Sequence, residues 1–179
     1  MNVMPKSRKL LPGFTLIELL VVIGILAILL TIVLIAINPA RQFAQSNNTR
    51  RRSDINAMLN AIHQYSVDNR GNIALLGIPV DDPLVAGSEA DPIMTDDAVA
   101  PDDEVDLCAL LVPTYISALP VDPQTGTSSD GVGTAVSKCG PPETYNTGYT
   151  VVQSNVATNI RITVSAPGAE LGEVIDVTR

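Results

Sequence analysis

The sequence predicts an α+β chain: a long N-terminal α-helix whose second half packs on a small head built around an antiparallel β-sheet. Three observations carry this reading. An apolar run extends from Phe14 to Ile37 with Glu18 as its only charge. Behind it, Ile55, Leu59, Ile62 and Tyr65 are spaced four, three and three residues apart, which is one face of a helix. Near the C-terminus, β-branched residues alternate with polar ones between turn signals. The composition narrows the function classes. The 179 residues hold 19 acids against 11 Lys and Arg, a net charge of −8, with no Trp and 3% aromatics. That balance disfavours a soluble enzyme with one large core, a polytopic membrane protein and a basic protein that coats nucleic acid. One His and two Cys leave little for a zinc site or a His-based triad, and no nucleophile elbow, P-loop, CxxC or HExxH is present. The chain is read as a non-enzyme.

The apolar run is about 24 residues, or about 36 Å of helix at ~1.5 Å per residue. A bilayer core of about 30 Å needs ~20 apolar residues, so the run is long enough to span it. The segment before it, residues 1–13, contains Lys6, Arg8 and Lys9 and no acid. Basic flanks stay on the cytoplasmic side, so the helix is expected to enter with its N-terminus inside and the bulk of the chain outside. The run ends at Asn38-Pro39 without a clean small-residue cleavage site, unlike a secretory signal peptide. A plain signal anchor remains as the simpler reading.

Glu18 argues against the plain anchor. A carboxylate in hydrocarbon costs on the order of 2.5–3.5 kcal/mol on insertion scales and normally has a partner. The apolar helix offers none, so the partner is expected from another chain or from an amine exposed by a cut between Gly13 and Phe14. The stretch Gly13-Phe14-Thr15-Leu16-Ile17-Glu18, with the basic leader before it and the long apolar helix behind it, closely resembles the cleavage motif of type IV prepilins and the related pseudopilins. The resemblance implies cleavage after Gly13 by a prepilin peptidase and N-methylation of Phe14 by the same enzyme. It also implies that Glu18 neutralises the Phe14 amine of a neighbouring subunit during assembly. A buried unpaired charge is costly, so that pairing would reward correct register.

Within the helix, Gly24 and Pro39 are the residues that the resemblance marks for local loss of helicity, since a proline removes a backbone donor and kinks a helix. The helix is expected to run on to about Asn69, where Asn69, Arg70 and Gly71 form a stop. The resulting division is 1–13 leader, 14–37 membrane and polymerisation helix, 38–70 amphipathic continuation, and 71–179 extracytoplasmic head. Arg50, Arg51 and Arg52 are the basic cluster of the continuation. They read either as a phosphate contact or, preferred, as a solvated face or a partner for the acidic heads of neighbouring subunits. Asn47-Asn48-Thr49 matches a glycosylation acceptor, which on a helix is incidental. His63 reads as an interface or surface residue.

From Gly71 onward there are 16 acids and 3 bases, so the head is strongly anionic and direct nucleic-acid binding is disfavoured. Asp81 to Asp106 holds ten acids and no base, interspersed with prolines, and reads as a surface loop; its carboxylates leave calcium as the second reading. Cys108 and Cys139 outside the cytoplasm read as a disulfide, with two free buried thiols as the alternative. The resemblance favours the bridge, because many type IV pilins tie down a C-terminal region in this way. A short helix is expected within Leu110 to Ile116. Leu119-Pro120-Val121-Asp122-Pro123 resembles a stretch of major pseudopilins that precedes a calcium-binding loop, and on that ground Asp122 and Asp130 are calcium candidates. No cofactor is otherwise required. Strands are expected around Tyr149–Val151, Ile160–Val164 and Val174–Val177, joined by turns at Ser154-Asn155 and Pro167-Gly168.

The leading reading is a pilin: a structural subunit made as an inner-membrane precursor, processed, and polymerised with copies of itself into a surface filament. The resemblance implies an assembly ATPase and an inner-membrane platform protein as further partners. A type II secretion pseudopilin is the alternative within the family. A monomeric membrane-anchored binding module is the alternative outside it.

Overall fold

The computed structural model describes residues 13–81, 90–95, 104–128, 135–140, 144–154 and 160–179. It divides into two compact units, residues 1–42 and residues 43–179.

The described part of the first unit is mostly helical. Helix α1 spans Leu16–Ile37 and is long and apolar enough to cross a membrane. Its Leu, Ile and Val residues face outward on every side, and among the described residues none of α1 is buried. A helix apolar all round needs lipid or other helices to cover it. Gly24 sits inside the unbroken helix with no atom near the position a Cβ would take. The single continuous helix expected from Phe14 to Asn69 is interrupted once, at Asn38, which adopts φ 45° and ψ 81°. The residue before a proline is pushed out of the right-handed helical region, and Asn tolerates the left-handed one. Pro39 therefore opens the next helix instead of kinking one, in the first helical position where its missing N–H costs nothing. Asn38 also accepts hydrogen bonds from the Arg41 N–H at both its carbonyl and its Oδ1.

Helix α2 spans Pro39–Asp68, and its part within the second unit forms that unit's spine. Ile55, Leu59, Ile62 and Tyr65 are buried, as the four-three-three spacing predicts, and Met58 is buried with them. They pack in one cluster with Ile93, Tyr149, Val151, Ile162 and Val164 from the sheet and with Leu107, Leu111, Leu119 and Val121 from the segment 107–121. After a 3₁₀ turn at Ala74–Leu76 come β1 (Val80–Asp81), β2 (Asp91–Thr95), the one-turn helix α3 (Cys108–Leu111), β3 (Leu119–Pro120), β4 (Ala135–Val136), β5 (Tyr145–Ser154), β6 (Ile162–Ser165) and β7 (Asp176–Thr178).

Strand β5 is central. β6 pairs antiparallel on one side, with Val151 opposite Val164, and β2 pairs antiparallel on the other; β7 follows β6. β1 adds a short parallel pair to β5, so the sheet is mixed and mostly antiparallel. Along β5, Tyr145, Thr147, Tyr149 and Val151 are buried and their neighbours half-buried, the period-two pattern of a sheet with one covered face.

Three expectations change in detail. The acidic stretch is not wholly loop, because Asp91–Thr95 forms β2 around the fully buried Ile93; residues 82–89 and 96–103 lie outside the described residues. The short helix begins at Cys108 rather than Leu110 and ends at Leu111. The last strand starts at Asp176, leaving Val174 exposed, and Ile160 precedes β6 as an exposed residue. Cys108 and Cys139 form the disulfide, with Cα atoms 5.4 Å apart.

Candidate functional site

Two constellations carry chemistry, one in each unit. The first is the start of α1. Gly13, Phe14 and Thr15 lie outside the helix, Thr15 in extended conformation as the N-cap, and Phe14 is 91% exposed. The Gly13–Phe14 bond is thus presented in non-helical backbone just ahead of the cap. Thr15 and Glu18 form a capping box. The Thr15 N–H and its hydroxyl donate to Glu18 Oε2 at 2.8 and 2.6 Å, while the Glu18 N–H donates to Thr15 Oγ1 at 3.3 Å.

This corrects the expectation that the helix offers Glu18 no partner. The carboxylate is held by its own N-cap and by the partial positive charge at the helix start. The signal was present in the sequence, since Thr15-Leu16-Ile17-Glu18 has the T-x-x-E spacing of a capping box. Both Thr15 donors converge on Oε2, and Oε1 accepts no hydrogen bond among the described residues. Phe14, Ile17, Glu18, Val21 and Val22 line a shallow apolar groove in which this carboxylate is the charge.

The second constellation is a polar seam in the head. Arg51 is fully buried, and so is Asp122. Arg51 Nε donates to Asp122 Oδ2 at 2.6 Å and Nη2 to Asp122 Oδ1 at 3.2 Å, a bidentate pair. Nη1 donates to Asn48 Oδ1 at 2.9 Å and to Glu170 Oε2 at 3.1 Å, and Nη2 reaches Gln124 Oε1 at 3.4 Å. Asp122 Oδ1 also accepts from the backbone N–H groups of Gln124 and Thr125. Burial pushes the Asp122 carboxyl up, but the bonds from Arg51, Gln124 and Thr125 outweigh it and hold the group below the usual carboxylate range. The Glu170 carboxyl is likewise held low, first by the Asn47 amide and, against some desolvation, by Arg51 and Gln124.

The seam continues along α2. Asn47 Nδ2 donates to Glu170 Oε2, and Asn48 exchanges two bonds with the Glu170 backbone. Arg52 pairs with Glu173 at a half-open site. The Arg179 guanidinium donates to Asn60 Oδ1 and Asn56 Oδ1. Arg50 lies 3.6 Å from Asp54, whose Oδ2 accepts from the Tyr149 hydroxyl at 2.9 Å. Burial raises the Asp54 carboxyl against the pull of Tyr149 and Arg50. Arg51 and Arg52 therefore face acids of their own head, and Arg50 faces Asp54 one turn on in α2. Neither the phosphate reading nor pairing with neighbouring heads is needed to neutralise them. Asn47 of the glycosylation pattern is engaged in the same seam.

The backbone around Asp122 is built close. Gly148 has φ +76°, and a Cβ there would sit 2.8 Å from the Asp122 Cβ; a Cβ on Gly126 would meet Val121 Cγ1 at 2.3 Å. Glycine at both positions lets the 121–126 loop lie against β5. The calcium role expected for Asp122 does not fit this arrangement, because both of its oxygens are taken by Arg51 and backbone donors. Asp130 lies outside the described residues. Among the described residues no three His, Cys, Asp or Glu side chains are grouped to hold a metal ion. His63 is half-buried, and its Nε2 has no hydrogen-bond partner among the described residues.

The model of the prokaryotic N-terminal methylation motif matches residues 12–34. That motif is typical of type IV pilins and pseudopilins, and it marks structural subunits rather than enzymes. The chain carries that motif on its hydrophobic N-terminal helix, with an α+β, pilin-like architecture behind it. The motif implies processing by a prepilin peptidase and assembly into a pilus-like filament, and with the apolar helix it points to an inner-membrane precursor with an extracytoplasmic head. No curated protein and no solved structure matches the chain.

Proposed function

We propose that this chain is the structural subunit of a type IV pilus. It is inserted through α1 as a prepilin, cut between Gly13 and Phe14, methylated on Phe14, and polymerised with copies of itself. The observation that carries this reading is the apolar helix with one carboxylate. α1 is exposed on every side and carries Glu18 in its first turn. Once α1 has left the bilayer only neighbouring subunits keep that surface from water, and at about 25 cal/mol per Å² this burial holds the filament together. Glu18, with Oε2 held by Thr15, has Oε1 free to accept from the Phe14 amine of an incoming subunit. A subunit out of register leaves that carboxylate without the amine, so the pair selects register. An assembly ATPase and an inner-membrane platform protein would drive extraction from the bilayer.

The Cys108–Cys139 bridge in the head favours a pilus. The Leu119-Pro120-Val121-Asp122-Pro123 stretch favours the second reading, a pseudopilin of a type II secretion system. Intact-mass and N-terminal peptide mass spectrometry on protein sheared from the cell surface tests the proposal. It predicts a chain that begins at methylated Phe14 in the sheared fraction. A chain retaining residues 1–13 and found only in membranes would leave the monomeric anchored module.

A further inference from the structure

The polar seam of the head forms an oxygen cage with a cation inside it. Two carboxylates, Asp122 and Glu170, and two amide carbonyls, Asn48 and Gln124, all present oxygen to the Arg51 guanidinium at 2.6 to 3.4 Å. The oxygens come from three separate segments: α2, the loop after β3 and the turn after β6. Carboxylate and amide oxygens converging from several loops are also the ligand chemistry of a hard divalent cation such as calcium. Here Arg51 and Asp122 are both shut off from solvent.

We propose that Arg51 is the resident cation of this cage, doing from within the chain what a bound divalent ion would otherwise do, so that the head folds independently of calcium. The inference goes beyond the filament reading and does not rest on it. Its logic is electrostatic. Two carboxylates drawn together without a positive charge repel, and each would be protonated or displaced. The guanidinium supplies that charge and fixes three segments at once through a planar fork that an ammonium lacks. The supply is covalent, so it does not vary with the ion content of the medium. An acidic head then gains no fold requirement for divalent ions outside the cell.

The test uses the full chain in detergent micelles, with melting followed by the near-ultraviolet circular dichroism of the buried tyrosines Tyr145 and Tyr149. For the unmodified chain, the midpoint in a chelator and in millimolar calcium is expected to agree within about 1 °C. A calcium-dependent rise of several degrees overturns the proposal. Arg51→Ala empties the cage, so its melt is expected to fall, or its tyrosine signal to vanish, in chelator. Calcium is expected to recover several degrees or restore the signal, and magnesium to do so less well, because it demands tighter octahedral geometry. An Arg51→Ala chain that calcium does not help would overturn the cage. Arg52→Ala, on the exposed pair with Glu173, is the control and is expected to show no calcium response.

Discussion

α1 and α2 follow one another with a single residue between them, yet they rest on different physics. α1 has no buried residue among those described, while α2 buries nine. α1 is apolar on every side, its one charge is Glu18 in the Thr15 cap, and the Thr31 hydroxyl is turned back onto the Ala27 carbonyl of the helix itself. α2 is mostly polar, and its buried stripe contains a charge. The stripe runs Ala44, Asn48, Arg51, Ile55, Met58, Leu59, Ala61, Ile62, Tyr65. Its lower half is apolar and meets the sheet. Its upper half is hydrogen-bonded and meets the loops. The contrast teaches where each helix finds its stability: α1 in lipid or neighbouring subunits, α2 in its own head. Substitutions in α2 should therefore change folding, and substitutions in α1 should change association.

The largest break in that division is expected from Arg51→Ala. Removing one partner of a buried pair leaves Asp122 uncompensated and costs about 3–5 kcal/mol. Chemical denaturation of the head should show this as a lower midpoint, with insertion and processing at Gly13–Phe14 unchanged. Next comes reduction of Cys108–Cys139. The sequence separation is 31, and the chain-entropy model gives about 3.5–4 kcal/mol for a loop of that length. Denaturation with and without reductant measures it.

Acid comes third and sharpens the comparison. Asp122 and Glu170 have carboxyls held below their unfolded values, so their stabilisation is complete above the unfolded range of about 4 and is lost as pH falls through the lower folded values. Asp54 is raised by burial and works in the opposite direction, since its protonation on acidification relieves a cost. Head melts between neutral pH and pH 3 should therefore fall mainly below about pH 4. The smallest effect is expected from Arg52→Ala at the half-exposed pair with Glu173. It should cost less than about 1 kcal/mol and less still in high salt.

How legible this was differs along the chain. The apolar run, the Ile55-Leu59-Ile62-Tyr65 face, the disulfide and the β6 alternation could all be read, because each depends on local periodicity or residue chemistry. The β2 strand was hidden. Its single fully buried side chain, Ile93, lies in a stretch dominated by acids, and its pairing with β5 is long-range. The buried arginine was hidden for another reason. Arg50, Arg51 and Arg52 are chemically identical, and only position on the helix separates them. Arg51 lies four residues before Ile55, and Asn48 and Ala44 continue the same four-three rhythm, so the apolar face could have been extended one turn upstream through a charge. The partners of Arg51 could not have been found this way, since Asp122 and Glu170 reach it through tertiary structure. The break at Asn38 was half-visible: Pro39 marked the place, and the left-handed Asn turned a kink into a cap.

On the proposed reading, α1 assembles the filament and α2 folds the head. Glu18→Ala tests it most directly when two readouts are taken on the same protein: the amount recovered in the sheared surface fraction, and the tyrosine melting midpoint of the full chain in micelles. The sheared fraction is expected to be lost while the midpoint stays within about 1 °C of the unmodified chain. Filaments recovered at the unmodified level, or a head that melts several degrees lower, would contradict it.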